Sequence, residues 1–243
     1  PASSRWPVLG SVALGAMMVG TGIKLVYDTG LPLMVIGVLG IMAVMGLWFR
    51  DVISESRGGL YDEQMDRSFR WGMGWFIFSE VMFFAAFFGA LFYVRMFTLP
   101  WLGGEGAKGV SALLWPDFVA TWPLLNPPDD SIAGPQQVFS PWQLPLVNTL
   151  ILITSSITLT VAHEALKVGY RRTCRNWLAG TVLLGCCFIM IQGVEYYEAY
   201  AHYGITLEAG IFGATFFILT GFHGLHVIIG TIILATMLVR IVK

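Results

Sequence analysis

Runs of about 20 apolar residues, each closed by polar or charged positions, recur six times along the chain, and each is long enough to cross a hydrocarbon core. The first two, Pro7 to Val26 and Leu31 to Phe49, are joined only by Tyr27-Asp28-Thr29-Gly30. So short a connection makes them an antiparallel hairpin. A third span runs from Trp71 to about Phe97 and a fourth from Leu144 to Val168. Between them Gly103-Gly104, Asn126-Pro127-Pro128 and Gly134-Pro135 break any regular pattern, which predicts an irregular loop outside the hydrocarbon. The fifth span is Trp177 to about Tyr200. The sixth, about Leu207 to Val239, exceeds a perpendicular crossing and is expected to tilt or project. The pattern predicts an all-α, polytopic transmembrane bundle. Residues 1–50 form a helix pair, 51–70 an inner-side loop, and 71–243 four further spans with an outer loop over 98–143.

Charge orients these spans. Arg5, Arg50, Arg57, Arg67, Arg70, Lys167, Arg171, Arg172, Arg175, Arg240 and Lys243 fall on one side. Only Lys24, Arg95 and Lys108 fall on the other. Cytoplasmic or matrix loops collect Lys and Arg, so both ends of the segment are expected on that inner side. Trp6, Trp48, Trp71, Trp101, Trp115 and Trp142 sit near the expected interfaces, where amphipathic rings anchor helices. Composition agrees with lipid as the solvent: 56% of the 243 residues are hydrophobic and 12% charged, against roughly a quarter charged in soluble domains. A net charge of -1 without like-charge runs leaves nucleic acid no electrostatic footprint. Cys174, Cys186 and Cys187 show neither disulfide nor zinc spacing and are read as small core residues. No small-residue cleavage pattern follows the first apolar run, so a removable secretory peptide is not expected.

Ionisable groups inside spans are costly and are therefore candidates for function. Glu80 lies nine residues past Trp71, about 13 Å deep, within Phe76-Ile77-Phe78-Ser79-Glu80-Val81-Met82-Phe83-Phe84. Desolvation among aromatic rings predicts a carboxyl that keeps its proton, as a proton-relay acid or as a hydrogen-bonded structural group. His223 and His226, three apart on the sixth span, share one face. Metal sites need three or four converging ligands, and the chain adds only His163 and His202, both near helix ends. Structural hydrogen bonding is the favoured reading and no metal site is expected. Gln192-Gly193-Val194-Glu195-Tyr196-Tyr197-Glu198 reads as a solvated acidic helix end, and His163-Glu164 as a polar cap on the fourth span. No catalytic triad, phosphate loop or CxxC is present. Gly10, Gly15, Gly20, Gly37 and Gly40 let the first hairpin pack closely against something.

Taken in order, these residues resemble subunit III of the cytochrome c oxidases, in the haem-copper superfamily. Trp48-Phe49-Arg50-Asp51-Val52-Ile53-Ser54-Glu55 resembles the family's segment after its second helix, and Phe76 through Phe84 its third-helix segment. Leu124-Leu125-Asn126-Pro127 with Pro145-Leu146-Val147-Asn148-Thr149 resembles the approach to its fourth helix. Glu195-Tyr196-Tyr197-Glu198 resembles its fifth-helix end, and Thr220 through Gly230 its sixth-helix signature.

The resemblance implies a chain without haem or copper, docked on catalytic subunit I beside subunit II, in a proton-pumping complex whose substrate is cytochrome c. It implies a supporting role in proton uptake, protection of the active site during turnover, and bound phospholipids in a V-shaped cleft between helices 1–2 and the rest. Trp48, Glu55, Arg240 and Lys243 match head-group contacts, and Glu80 matches the family's carbodiimide-reactive acid. At Ser54 the chain lacks an arginine that some relatives place on a lipid phosphate, a contact either lost or supplied by Arg57. The family also continues into a seventh helix beyond the position of Lys243. The related quinol oxidase subunit lacks the first two helices, which favours the cytochrome c branch. The long outer segment from Leu99 to Pro141 points to a bacterial inner membrane, with the mitochondrial inner membrane as the alternative. An independent transporter would show inverted repeats or broken helices around a midplane charge pair, and neither is read here. A redox enzyme with His223 and His226 as ligands would be coloured when purified alone.

Overall fold

The computed structural model describes residues 4–107, 109–129, 131–132 and 134–242. Among them, six helical segments are long and apolar enough to cross a membrane. In order come α1 (Trp6–Tyr27), α2 (Leu31–Arg57), α3 (Glu63–Tyr93), the short α4 (Leu99–Leu102), α5 (Leu144–Lys167), α6 (Arg171–Ala201) and α7 (Gly210–Val242). Proline opens α1, α2, α4 and α5 in the first turn, where its missing N–H is one of the groups without a helical partner anyway.

The helices overrun the lengths that hydropathy predicts. Residues 51–70 are not an inner-side loop: α2 continues to Arg57 and α3 already starts at Glu63, leaving only 58–62 as connection. Hydropathy registers where hydrocarbon ends, whereas helix hydrogen bonding continues into water as long as the residues are good helix formers, as Glu, Gln, Met and Arg are here. The third crossing likewise stays helical past Phe97. A five-residue π turn, Val94–Thr98, links α3 to α4, with Leu99 N–H bonded to Val94 O. Pro100 cannot donate to the residue four back and its ring crowds that carbonyl, and the wider turn just before it relieves the clash.

Contacts divide the chain into one compact unit up to Glu80 and another from Val81. In the first, α1 and α2 pack along their length. Their approach is set by glycine: a Cβ on Gly20 would stand 2.3 Å from Met34 N, and one on Gly37 2.3 Å from Met17 N. Gly40 faces the Ala13 Cβ at 3.1 Å. The hairpin glycines therefore serve each other, although Gly15 has nothing within 4 Å. Asp28 closes α1 in the left-handed region at φ 60 while its carboxylate pairs with Lys24.

In the second unit α6 packs on both α5 and α7. Ala162, Ala165, Cys174 and Leu178 form a small buried cluster, against which Leu234, Leu238 and Ile241 pack. The buried hydroxyls of Thr158 and Thr181 meet at 2.8 Å and fix the α5–α6 register. Cys174 is buried, but Cys186 is exposed, so it is not the core residue its apolar surroundings suggest. The long connection before α5 is tied to the rest of this unit at several described residues. Leu124 is buried, Gln136 N–H bonds to Tyr203 O at 2.9 Å, and the Phe139 ring lies 4.8 Å from Tyr203 and 5.5 Å from Phe216. Backbone amides of such a segment need partners, and the α6–α7 connection supplies one. The Ser131 N–H, 2.9 Å from Asp129, holds that carboxyl below its ordinary range.

Large apolar side chains stay uncovered throughout: Trp75 is 66% exposed and Ile232 59%, and α3 buries none of its residues. An exposed apolar surface of this extent is what lipid or partner helices cover.

Candidate functional site

The last turns of α2, which run beyond the predicted span from Arg50 on, carry Asp51, Val52 and Glu55, at spacings that put them on one face with Trp48. The helix ends at Gly58 and Gly59. Gly59 adopts φ 70, and Leu60 N–H bonds back to Glu55 O at 3.2 Å. Glycine enters this left-handed conformation without a Cβ penalty, which reverses the chain and carries Tyr61 back over the helix end. The Tyr61 hydroxyl donates to Glu55 Oε2 at 3.0 Å and lies 3.2 Å from Val52 O. Its ring meets Phe69 edge-on at 5.3 Å. Desolvation, and then the Glu55 carboxylate that accepts its proton, push the phenol above its ordinary range, so Tyr61 remains a donor at neutral pH. From α1, Trp6 Nε1 donates to Asp51 Oδ2 at 2.8 Å.

These groups, with Arg5, Leu9 and Met65, line a cavity of about 560 Å³ at the cation-rich end of the hairpin. It combines aromatic walls, two carboxylates each held by a neutral donor, and one guanidinium. That mixture suits the junction of a polar head and an apolar tail. Of the predicted head-group residues, Trp48 and Glu55 share this cavity. Arg5, not Arg57, is the cation in its lining. Arg240 belongs to the second unit, near the end of α7, where Arg171 Nη2 donates to Ile241 O at 3.3 Å. Lys243 and Lys108 lie outside the described residues. Tyr61 escaped the sequence reading, although a Gly-Gly helix end followed two residues later by an aromatic is a readable signal.

Glu80 is half-buried, about 25 Å along α3 because that helix starts at Glu63. His223 and His226 do share a face of α7 but meet different groups. The first lies edge-on to Phe188 at 5.7 Å, and the second places Nδ1 2.5 Å from Phe222 O. Among the described residues no three His, Cys, Asp or Glu side chains gather as a metal site. Glu164 pairs with Lys167 at 2.9 Å, closer than His163 at 4.0 Å. Glu195 departs from the solvated helix end expected of it: its Oε1 is shut off from solvent.

Six helices long and apolar enough to cross a membrane, with ion pairs such as Arg70–Asp66 and Lys167–Glu164 at exposed positions, define a polytopic α-helical membrane protein. The chain belongs to the family described as Cytochrome c oxidase subunit III, whose model matches residues 2–127 and 128–243. It is 36% identical to cytochrome c oxidase subunit 3 of Danio rerio over 239 residues, 98% of this chain and 80% of that protein. To the Oncorhynchus mykiss protein it is 35% identical over 241 residues, 99% of this chain and 81% of the relative. To that of Cyprinus carpio it is 37% identical over 238 residues, with 98% and 80% covered.

Proposed function

We propose that this chain is the non-catalytic subunit III of a proton-pumping cytochrome c oxidase in aerobic respiration. It binds phospholipid, stabilises subunit I, sits in the complex with subunit II and supports proton uptake while cytochrome c feeds the electron chemistry elsewhere. Haem and copper belong to the partner subunits in this reading. The membrane is a bacterial inner membrane, on the strength of the long connection over 98–143, or else the mitochondrial inner membrane.

The observation that carries the lipid role is the Trp48–Glu55 cavity. Arg5 offers a phosphate a charge-assisted hydrogen bond, while Trp48 and Phe69 offer acyl or glycerol carbons an apolar wall. Arg240 and Lys243 attract lipid phosphate at the cation-rich end of α7. The paired substitution Trp48→Ala with Glu55→Ala is expected to lower the phospholipid retained per purified complex. Quantitative lipid mass spectrometry reads this, and lipid content equal to wild type would remove the head-group role.

Glu80 is the membrane-embedded acid of the same proposal. Glu80→Gln keeps its shape and hydrogen bonding but cannot release a proton. The complex is expected to assemble normally with altered proton uptake, measured by pH-indicator kinetics in vesicles. Failure to assemble would make the residue structural instead.

A further inference from the structure

A groove of about 670 Å³ opens in the second unit where α6 gives way to α7, at the cation-poor end of these helices. One face of α7 makes its wall, with Phe217, Ile218, Gly221, Phe222 and Leu225 recurring at helical spacing. They lie about 10 to 22 Å along the helix from its start at Gly210. The hydrocarbon of one leaflet is about 15 Å deep, so the wall follows an acyl chain from the interface towards the midplane. Gly221 keeps the floor open, since a Cβ there would meet the Tyr196 hydroxyl at 3.5 Å and nothing nearer. Phe83 of α3 meets Phe222 edge-on at 4.8 Å and supports that ring in the wall.

The mouth of the groove is polar. Tyr200, at the end of α6, and Thr206 and Glu208, in the connection that follows, bring two hydroxyls and a carboxylate to it. Glu208 is exposed and is the only charged side chain among the described residues of the lining. Arg95 also stands at this end of the unit, and it is engaged elsewhere. Its guanidinium lies 5.9 Å over the Trp122 ring, which in turn meets Phe212 at 6.0 Å. At 3.6 residues per turn, Phe212 points about 150° around α7 from the middle of the groove wall. His202 turns to the Tyr197 ring at 6.1 Å.

A ligand that satisfies both mouth and wall carries an N–H-bearing cation for the carboxylate, acceptor oxygens for the two hydroxyls, and an apolar chain. A purely anionic head group would bring like charge to Glu208, and a choline head has no N–H to donate. The volume falls in the range of small-ligand sites, about 300–1,000 Å³.

We propose that this groove is a lipid site for a phospholipid with a primary-amine head group, phosphatidylethanolamine in type, drawn from the leaflet at the cation-poor side. The ammonium pairs with Glu208, the phosphate accepts from Tyr200 and Thr206, and one acyl chain lies along Phe217 to Leu225. The Trp48–Glu55 cavity belongs to the first unit and offers a guanidinium instead, so either site can fail without the other.

Photoactivatable phosphatidylethanolamine, phosphatidylglycerol and phosphatidylcholine, each with the reactive group on an acyl chain, test it. Each is incorporated separately into vesicles carrying the intact oxidase complex, and labelled peptides are mapped by mass spectrometry. The ethanolamine lipid is expected to label residues 217–225 several-fold more than either of the others. Glu208→Gln is expected to abolish that preference, and Gly221→Leu, which fills the floor, to lower labelling of this stretch by every lipid. Equal labelling by the three lipids, a preference that survives Glu208→Gln, or no label here because protein covers the groove overturns the proposal. The comparison of lipids on the unaltered complex decides by itself should either variant not assemble.

Discussion

Replacing Gly20 with valine will drive α1 off α2 and deplete the first hairpin's helices from the folded chain. The first new atom alone would stand 2.3 Å from Met34 N and 2.7 Å from its Cα, so the obstacle is backbone that no rotamer change can move. Overpacking typically costs about 1–3 kcal/mol, and a backbone clash belongs at the upper end. Gly37→Val meets Met17 N at 2.3 Å and is expected to act alike. Gly15→Ala and Gly22→Ala are the controls, since nothing lies within 4 Å of either added Cβ. They should be neutral or stabilising by up to about 1 kcal/mol through helix propensity. Thermal unfolding in mild detergent separates the two pairs. Equal melting temperatures for Gly20→Val and Gly15→Ala would show that close approach is not what holds α1 to α2.

Removing the whole chain from the oxidase should leave initial turnover largely intact and cut the number of turnovers completed before inactivation several-fold. The physical ground is division of labour. The uncovered apolar faces of α3 are surfaces for a neighbour to cover. On the proposed reading, a neighbour deprived of that cover would expose membrane-depth groups to water. Oxygen-consumption progress curves at saturating cytochrome c measure the effect. Activity sustained as long as in the intact complex would refute the protective role.

Much of the fold is legible in the chain because a membrane span obeys a one-dimensional rule: enough apolar residues in sequence to exceed the hydrocarbon thickness. The hairpin from Pro7 to Phe49, the crossings from Leu144 and Trp177, and the breaker-rich segment after Gly103 all follow from it. Helix ends do not, because Asp51 through Arg57 and Glu63 through Arg70 are polar yet helical. The misplacement matters, since the candidate cavity is built on those overrun turns.

Side-chain roles divide in the same way. Spacing alone put His223 with His226 on one face, because helical periodicity is local. Whether a face meets lipid, solvent or another helix is not local. Glu195 and Glu198 read alike in sequence, and only the packing of α6 between α5 and α7 leaves the Glu195 oxygen shielded. Cys186 and Cys174 sit in similarly helical surroundings, and only that packing buries one and exposes the other. The sequence by itself determined the solvent, the number of crossings and the family, because hydropathy and motif order are properties of the chain. Tertiary structure alone decided which glycines touch a neighbour, how Tyr61 returns to Glu55 and which polar atoms lack partners. Those depend on distances between residues far apart in the chain.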